Sequence, residues 1–180
     1  MSLTIKDLEQ LQTEHPDWQL ELVDGSIIVM APSDDTSSEI GAEFTRLLGN
    51  WVKPRKLGRL YDSSGGFILP NTDLRTPDVS FVLAEKLRPS NRDFVRLVPE
   101  LMVEIKSKTD RIKPLEEKIQ LFLRLGTQVG ILIDPDKLTV TVYRINSEPL
   151  VLTNRDILTI PDLFPEWELP ISDLWPPVFE

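Results

Sequence analysis

The chain has 180 residues, 41% hydrophobic and 27% charged, the balance of a soluble globular protein with apolar residues enough for one sizeable core. It has no cysteine and one histidine, His15, so disulfides, thiolate metal sites and Cys nucleophiles are excluded and a His triad or His-rich zinc site nearly so. The net charge of -9 opposes broad attraction to a phosphate backbone, so any nucleic-acid groove has to be a local concentration of positive charge.

The first residues, MSLTIKDLEQLQTEHPD, are polar and acidic without a secretory pattern, and no apolar run reaches the ~18 residues of a membrane span. A cytoplasmic protein of one domain, 1–180, is expected. Residues 3–14 read as a short helix stopped by Pro16 and covering a sheet edge, a helical extension over 1–17. WQLELVDGSIIVMAP has two β-rich arms around Asp24-Gly25, the dipeptide suited to a type I′ hairpin. Thr36-x-x-Glu39 has the form of a capping box before the spacing Ile40, Phe44, Leu47, Leu48 and Trp51, which predicts a helix over about 36–52.

GRLYDSSGGFILP reads as strand, Gly-rich break and strand, and its Gly65-Gly66 pair lacks the lysine and hydroxyl of a phosphate loop. Residues 86–99, KLRPSNRDFVRLVP, form a loop with three arginines and a lysine, the most basic local stretch. After LMVEIKS, Pro114 opens a helix with Leu115, Ile119, Phe122 and Leu125 on one stripe and Gly126 as its stop. QVGILIDP, a turn and LTVTVYRI make another strand pair, giving a mixed sheet. Residues 146–180 read as an ordered wrap docking Leu163, Phe164, Trp167, Leu169, Leu174 and Trp175 on the body.

The chemistry concentrates in TPDVSFVL and LMVEIKS. Strand alternation sends Leu101, Val103 and Ile105 to one face and Met102, Glu104 and Lys106 to the other. The same count lets Asp78 meet Glu104 across the sheet. Mg²⁺, with Mn²⁺ as a substitute, is held by one or two carboxylates and leaves positions for water and phosphate, which suits Asp78 and Glu104 with the Ile105 carbonyl between the charges. Lys106 would orient a water or stabilise developing negative charge. Each has a plainer reading. Asp after Pro is a common turn residue, Glu104 and Lys106 suit a solvated strand face, and Lys118 inside its helical stripe would extend its stem over the core with the amine in water. Two charges inside an apolar central strand nevertheless need partners or a metal.

The order of PD, a loop and E-I-K resembles the PD-(D/E)XK nuclease superfamily. More narrowly, the chain resembles the Uma-type restriction-endonuclease family over residues 18–175. The resemblance lies in ELVDGSIIVMAPS, SSEIGAEFTRLLGNWV, GRLYDSSGGFILP, RTPDVSFV, LMVEIKS, EEKIQLFLRLG and VGILIDP with VTVYR, in that order. It implies a restriction-endonuclease-like α/β (α+β) fold, a mixed sheet flanked by helices with an N-terminal hairpin and a C-terminal wrap. It further implies an Mg²⁺-dependent endonuclease acting on DNA as a homodimer. Asp78, Glu104 and Lys106 match its catalytic positions, Glu39 (with Glu43 one turn on) an added acid of the first core helix, and Lys118 a polar position after the motif. Glu39 serves equally well as the third residue of the capping box. Many members lack the E-x-K lysine, which this chain keeps. The alternatives are a noncatalytic nucleic-acid- or protein-binding module on the same scaffold and a phosphodiesterase acting on RNA or a nucleotide.

Overall fold

The computed structural model describes residues 2–90 and 92–179. Helix α1, Ile5–Glu14, begins at Thr4, whose hydroxyl accepts the Asp7 N–H while the Asp7 carboxylate accepts the Thr4 N–H. Strands β1, Gln19–Val23, and β2, Ser26–Met30, form the expected hairpin; Asp24 and Gly25 take φ of 48° and 74°, the positive values a type I′ turn requires. With β4, Phe67–Ile68, and β5, Leu74–Arg75, they make a four-stranded sheet ordered β2-β1-β5-β4. Leu8 of α1 is buried in one cluster with Leu20, Leu22 and Leu74. Because β1 is an inner strand, α1 covers the face of this sheet and not its edge.

Helix α2, Asp35–Val52, starts one residue earlier than expected and its cap differs: Asp34, not Thr36, is the N-cap, its Oδ1 accepting the Ser37 N–H at 2.8 Å. The carboxylate wins because it carries full negative charge at the helix N-terminus. Its Oδ2 also accepts the Lys108 N–H at 2.7 Å, tying α2 to the loop that follows the central strand.

The main sheet has six strands: β3, Gly58–Tyr61; β6, Val79–Leu83; β7, Leu101–Ile105; β8, Val129–Asp134; β9, Thr139–Tyr143; and β10, Leu150–Leu152. Its order is β10-β9-β8-β7-β6-β3, and only β7 and β8 run parallel. The β3 and β4 segments, adjacent in sequence, belong to different sheets, so residues 62–66 cross from one sheet to the other. Helix α3, Ile112–Leu125, ends at Gly126 with φ of 122°, where L side chains are strained. It carries the chain from β7 to β8, the crossover a parallel pair demands.

Alternation along the central strands separates two layers. Leu101, Val103 and Ile105 pack with Ile40, Phe44 and Leu48 of α2, and Leu163, Phe164, Trp167, Leu169 and Leu174 of the wrap complete that core with Trp175 against it. Phe164 meets Phe81 edge-on at 4.8 Å. Within the wrap, β11, Ile157–Thr159, pairs with β12, Glu168–Pro170. On the opposite face Val82, Met102 and Leu132 pack against Ile119 and Phe122 of α3. Glu104 alternates with Met102 and therefore lies on the α3 side, where Lys118 points.

Candidate active site

Strands β6 and β7 pair antiparallel with Val79 opposite Val103, and extending that register by one residue sets Asp78 opposite Glu104. Pro77 keeps the chain extended into β6, and the Asp78 Oδ2 accepts the Ile105 N–H at 2.7 Å, which fixes the carboxylate at the strand end. Glu104 is 4% exposed.

Lys118 reaches the two strands from α3. Its Nζ is 2.9 Å from Glu104 Oε1 and 3.2 Å from Glu21 Oε1, and it donates to the Thr76 carbonyl at 3.1 Å. Glu21, on β1, accepts the Thr76 N–H at 2.7 Å and the Thr76 hydroxyl at 3.0 Å, and its other oxygen accepts Arg75 Nε at 3.0 Å. Lys118 and Glu21 thus lock the small sheet, α3 and the central strand together. The plainer reading of Lys118 fails here: its amine is buried among carboxylates instead of extending to water.

Burial sets the proton affinities. Desolvation raises Glu104, and Asp78 nearby adds to it, against the lowering effect of Lys118, so the carboxyl is pushed up to about 8. Desolvation likewise raises Asp78, partly offset by the Ile105 N–H and Lys118. For Glu21, desolvation is outweighed by Lys118, Arg75 and the Thr76 N–H, and its carboxyl is lowered. Burial pulls the Lys118 ammonium down, but Glu104 and Glu21 more than compensate and it stays charged. The centre therefore holds one stably charged acid, two acids whose neutral forms burial favours, and one ammonium.

Asp78, Glu104, Ile105 and Lys118 open into a cleft of about 450 Å³ whose rim includes Gln19, Ser63, Ser107 and Asp110. A hydroxyl-lined recess along α2, with Ser37, Ser38 and Thr45, adjoins it at Asp78 and Ile105. Among the described residues no three His, Asp or Glu side chains form a metal cage. Two carboxylates with open positions are nonetheless the protein share that Mg²⁺ takes. Glu104 Oε1 faces the Lys118 ammonium at 2.9 Å and has no other donor among the described residues. An oxygen so placed and an all-oxygen donor set fit a hard divalent cation.

The other sequence candidates lie elsewhere. Lys106 does not line the cleft; its Nζ bonds Asp136 Oδ2 at 2.6 Å and the Ser107 carbonyl at 3.2 Å, beyond the ends of β7 and β8. Glu39 is exposed on α2, lines neither the cleft nor the recess, and does not close the capping box expected of it. Glu43 pairs with Arg46 through both oxygens. His15 stacks on Trp18 at 3.8 Å. Glu21 is the residue the sequence reading missed. Its signal was present: an acid between Leu20 and Leu22 in a β-rich arm poses the same burial problem as Glu104 between Val103 and Ile105.

Comparison with known proteins agrees with this architecture. A search of curated proteins finds no match. Among solved structures, the crystal structure of a putative nuclease belonging to DUF820 from Anabaena variabilis ATCC 29413 superposes with a TM-score of 0.77, at 26% identity over 86% of this chain and 88% of that one. The family model Uma2, described as "Putative restriction endonuclease", matches residues 5–172 and so takes in the three described sheets, the three described α-helices and every residue of the cleft. The chain belongs to the Uma2 family.

Proposed function

We propose that this protein is a metal-dependent endonuclease that hydrolyses phosphodiester bonds in DNA, with Asp78, Glu104 and the Ile105 carbonyl holding Mg²⁺ or Mn²⁺. One observation carries the reading: the buried carboxylate of Glu104 and the half-buried one of Asp78 are opposed at the floor of one cleft with a buried lysine beside them. The bound cation supplies Lewis-acid polarisation of a phosphodiester oxygen. The chain's own residues do the rest. The Ile105 N–H orients Asp78, Glu21 and the Thr76 carbonyl hold Lys118, and Lys118 offsets negative charge at the cleft floor. Since endonucleases cutting both strands need two sites, we extend the proposal to a homodimer working in the cytoplasm, which light scattering and localisation of a tagged chain test. Nicking of supercoiled plasmid under Mg²⁺ and Mn²⁺ tests the activity. Wild-type cleavage and its loss in Asp78→Asn and Glu104→Gln support it; equal nicking by all three sinks it.

A second reading, a noncatalytic binding module on the same scaffold, is favoured by one fact: the lysine of E-x-K is committed to Asp136 outside the cleft. Titration with Mn²⁺ followed by a panel of duplex DNA, single-stranded DNA and RNA separates them. Metal binding without hydrolysis of any substrate supports the module; hydrolysis of RNA alone moves the substrate class.

A further inference from the structure

The cleft itself is poor in positive charge, with Asp78, Glu104 and Asp110 against Lys118. A polyanionic substrate needs its attraction from somewhere else. The strongest source is the outer edge of the main sheet, at β3. Residues 53–59, KPRKLGR, and residues 86–96, KLRPSNRDFVR, hold eight of the chain's 20 Lys and Arg and one of its 29 Asp and Glu. The fold brings the two segments alongside each other: β3 pairs with β6 from Gly58 opposite Leu83, and the Ala84 N–H donates to the Leu57 carbonyl at 2.9 Å.

All eight cations are exposed. Two are engaged, Lys86 with the buried Glu100 and Arg55 stacked with its guanidinium carbon 3.3 Å from the Trp51 ring centre. Arg88 donates only to backbone carbonyls of Glu85 and Leu87, and among the described residues Arg59 and Arg96 have no ion-pair partner. Arg59, Arg88 and Arg96 line a shallow groove with Tyr61 and Phe94. One charge suffices to keep an edge strand from pairing with another chain, so this purpose does not account for eight. The crowded like charges repel one another in the free protein, and an anion relieves that repulsion. The chain links the groove to the site: Tyr61 lines the groove, and Asp62 and Ser63, next in the chain, line the recess beside Asp78.

We propose that this β3-edge face is the docking surface for the phosphate backbone of duplex DNA flanking the scissile bond, with Arg59, Arg88 and Arg96 making the phosphate contacts. The identity of the polyanion rests on the nuclease reading above. The geometry assigns recognition and chemistry to different places: attraction along the β3 edge, hydrolysis at Asp78 and Glu104. Phosphate contacts of this kind carry no sequence information; they set the register of the duplex over the cleft.

The test is fluorescence anisotropy of a labelled duplex with the full chain in Ca²⁺ buffer across a salt series. The triple variant Arg59→Ala, Arg88→Ala, Arg96→Ala is expected to bind at least about tenfold more weakly at moderate salt, with the slope of log K against log salt shallower by about 2.7 for three lost contacts. Its melting temperature and its Mn²⁺ binding stay at wild-type values, which separates docking from folding and from the cleft. Wild-type affinity and slope in the triple variant overturn the proposal, as does wild-type protein that binds no duplex at low salt or prefers single-stranded RNA. Arginine-dependent duplex binding by a chain that nicks nothing leaves this surface standing and removes the nuclease reading instead.

Discussion

Lys118 Nζ stands 2.9 Å from Glu104 Oε1, so an ammonium from α3 meets the carboxyl group of the central strand β7 with both side chains largely shielded from water. Desolvating both ions is costly, and the attraction repays it only while each partner stays in place. Lys118 also bridges to Glu21 on the small sheet, so its removal takes the ammonium from two buried acids, of which Glu21 alone keeps a cation, Arg75 at 3.0 Å. Lys118→Met is expected to destabilise the fold by about 3–5 kcal/mol in urea unfolding. Adding Glu21→Gln and Glu104→Gln to it should recover part of that loss, because both acids that faced the ammonium are then neutral while Arg75 keeps Asp73 at 3.9 Å. A triple variant no more stable than Lys118→Met would show that the cost is one of packing.

Substitutions that keep shape and remove charge separate the floor of the cleft from the rest of the fold. In Asp78→Asn the amide oxygen still accepts the Ile105 N–H, so the strand end stays in place. Glu104→Gln removes a carboxylate whose ionised form the burial disfavours. Both variants should melt within a few degrees of wild type and show Mn²⁺ affinity lowered by about 100-fold or more in calorimetry. Wild-type affinity in either variant would remove that residue from the metal site.

Proton linkage gives a signed expectation. The Glu104 carboxyl binds a proton in the folded state up to about pH 8, well above its value in an unfolded chain, and Asp78 is raised as well. In the metal-free protein these groups hold more protons folded than unfolded. Their contribution to stability is therefore full below the unfolded carboxylate range and falls as pH rises through about 8. Cation binding has the opposite slope, since it needs both groups ionised and expels their protons. Mn²⁺ affinity should rise from pH 6 to pH 9 with proton release in calorimetry, and Glu104→Gln should flatten the part of the rise near pH 8. A pH-independent affinity in the wild type would mean that neither carboxyl is a ligand.

Local patterns carried much of this architecture and long-range pairing the rest. The Asp24-Gly25 hairpin, the α3 stripe and the alternation in LMVEI are written in spacings of two to four residues, and each appears in the fold. Asp78 opposite Glu104 followed from the same alternation once the two strands were taken as neighbours. What spacing does not hold is which sheet a strand joins. Nothing local says that β3 and β4 separate, or that β1 brings Glu21 beneath α3 to meet Lys118. The capping box at Thr36 was misplaced because Asp34, two residues earlier, offers a better acceptor to the same turn. Lys106 shows the limit from the other side: the alternation that assigned its face ends with β7 at Ile105, and past the strand the side chain follows the nearest acid, Asp136.

That pairing yields the prediction which most directly separates the two lysines. Lys106 belongs to E-I-K, yet its ammonium is held by Asp136 at 2.6 Å and raised further by that hydrogen bond, so it is charged at neutral pH and is tied to an acid that does not line the cleft. A group contributing charge stabilisation at the reacting centre costs about 10²–10³ in rate when removed. Lys106→Ala should therefore lower single-turnover cleavage by less than about tenfold, and Asp136→Asn should change it as little. Lys118→Ala should lower it by 10² or more at temperatures where circular dichroism shows the variant still folded. A hundredfold loss in Lys106→Ala would mean that the Asp136 contact breaks when substrate binds and that Lys106 swings to the phosphate. Asp136→Asn, which frees that ammonium, would then cleave faster than wild type.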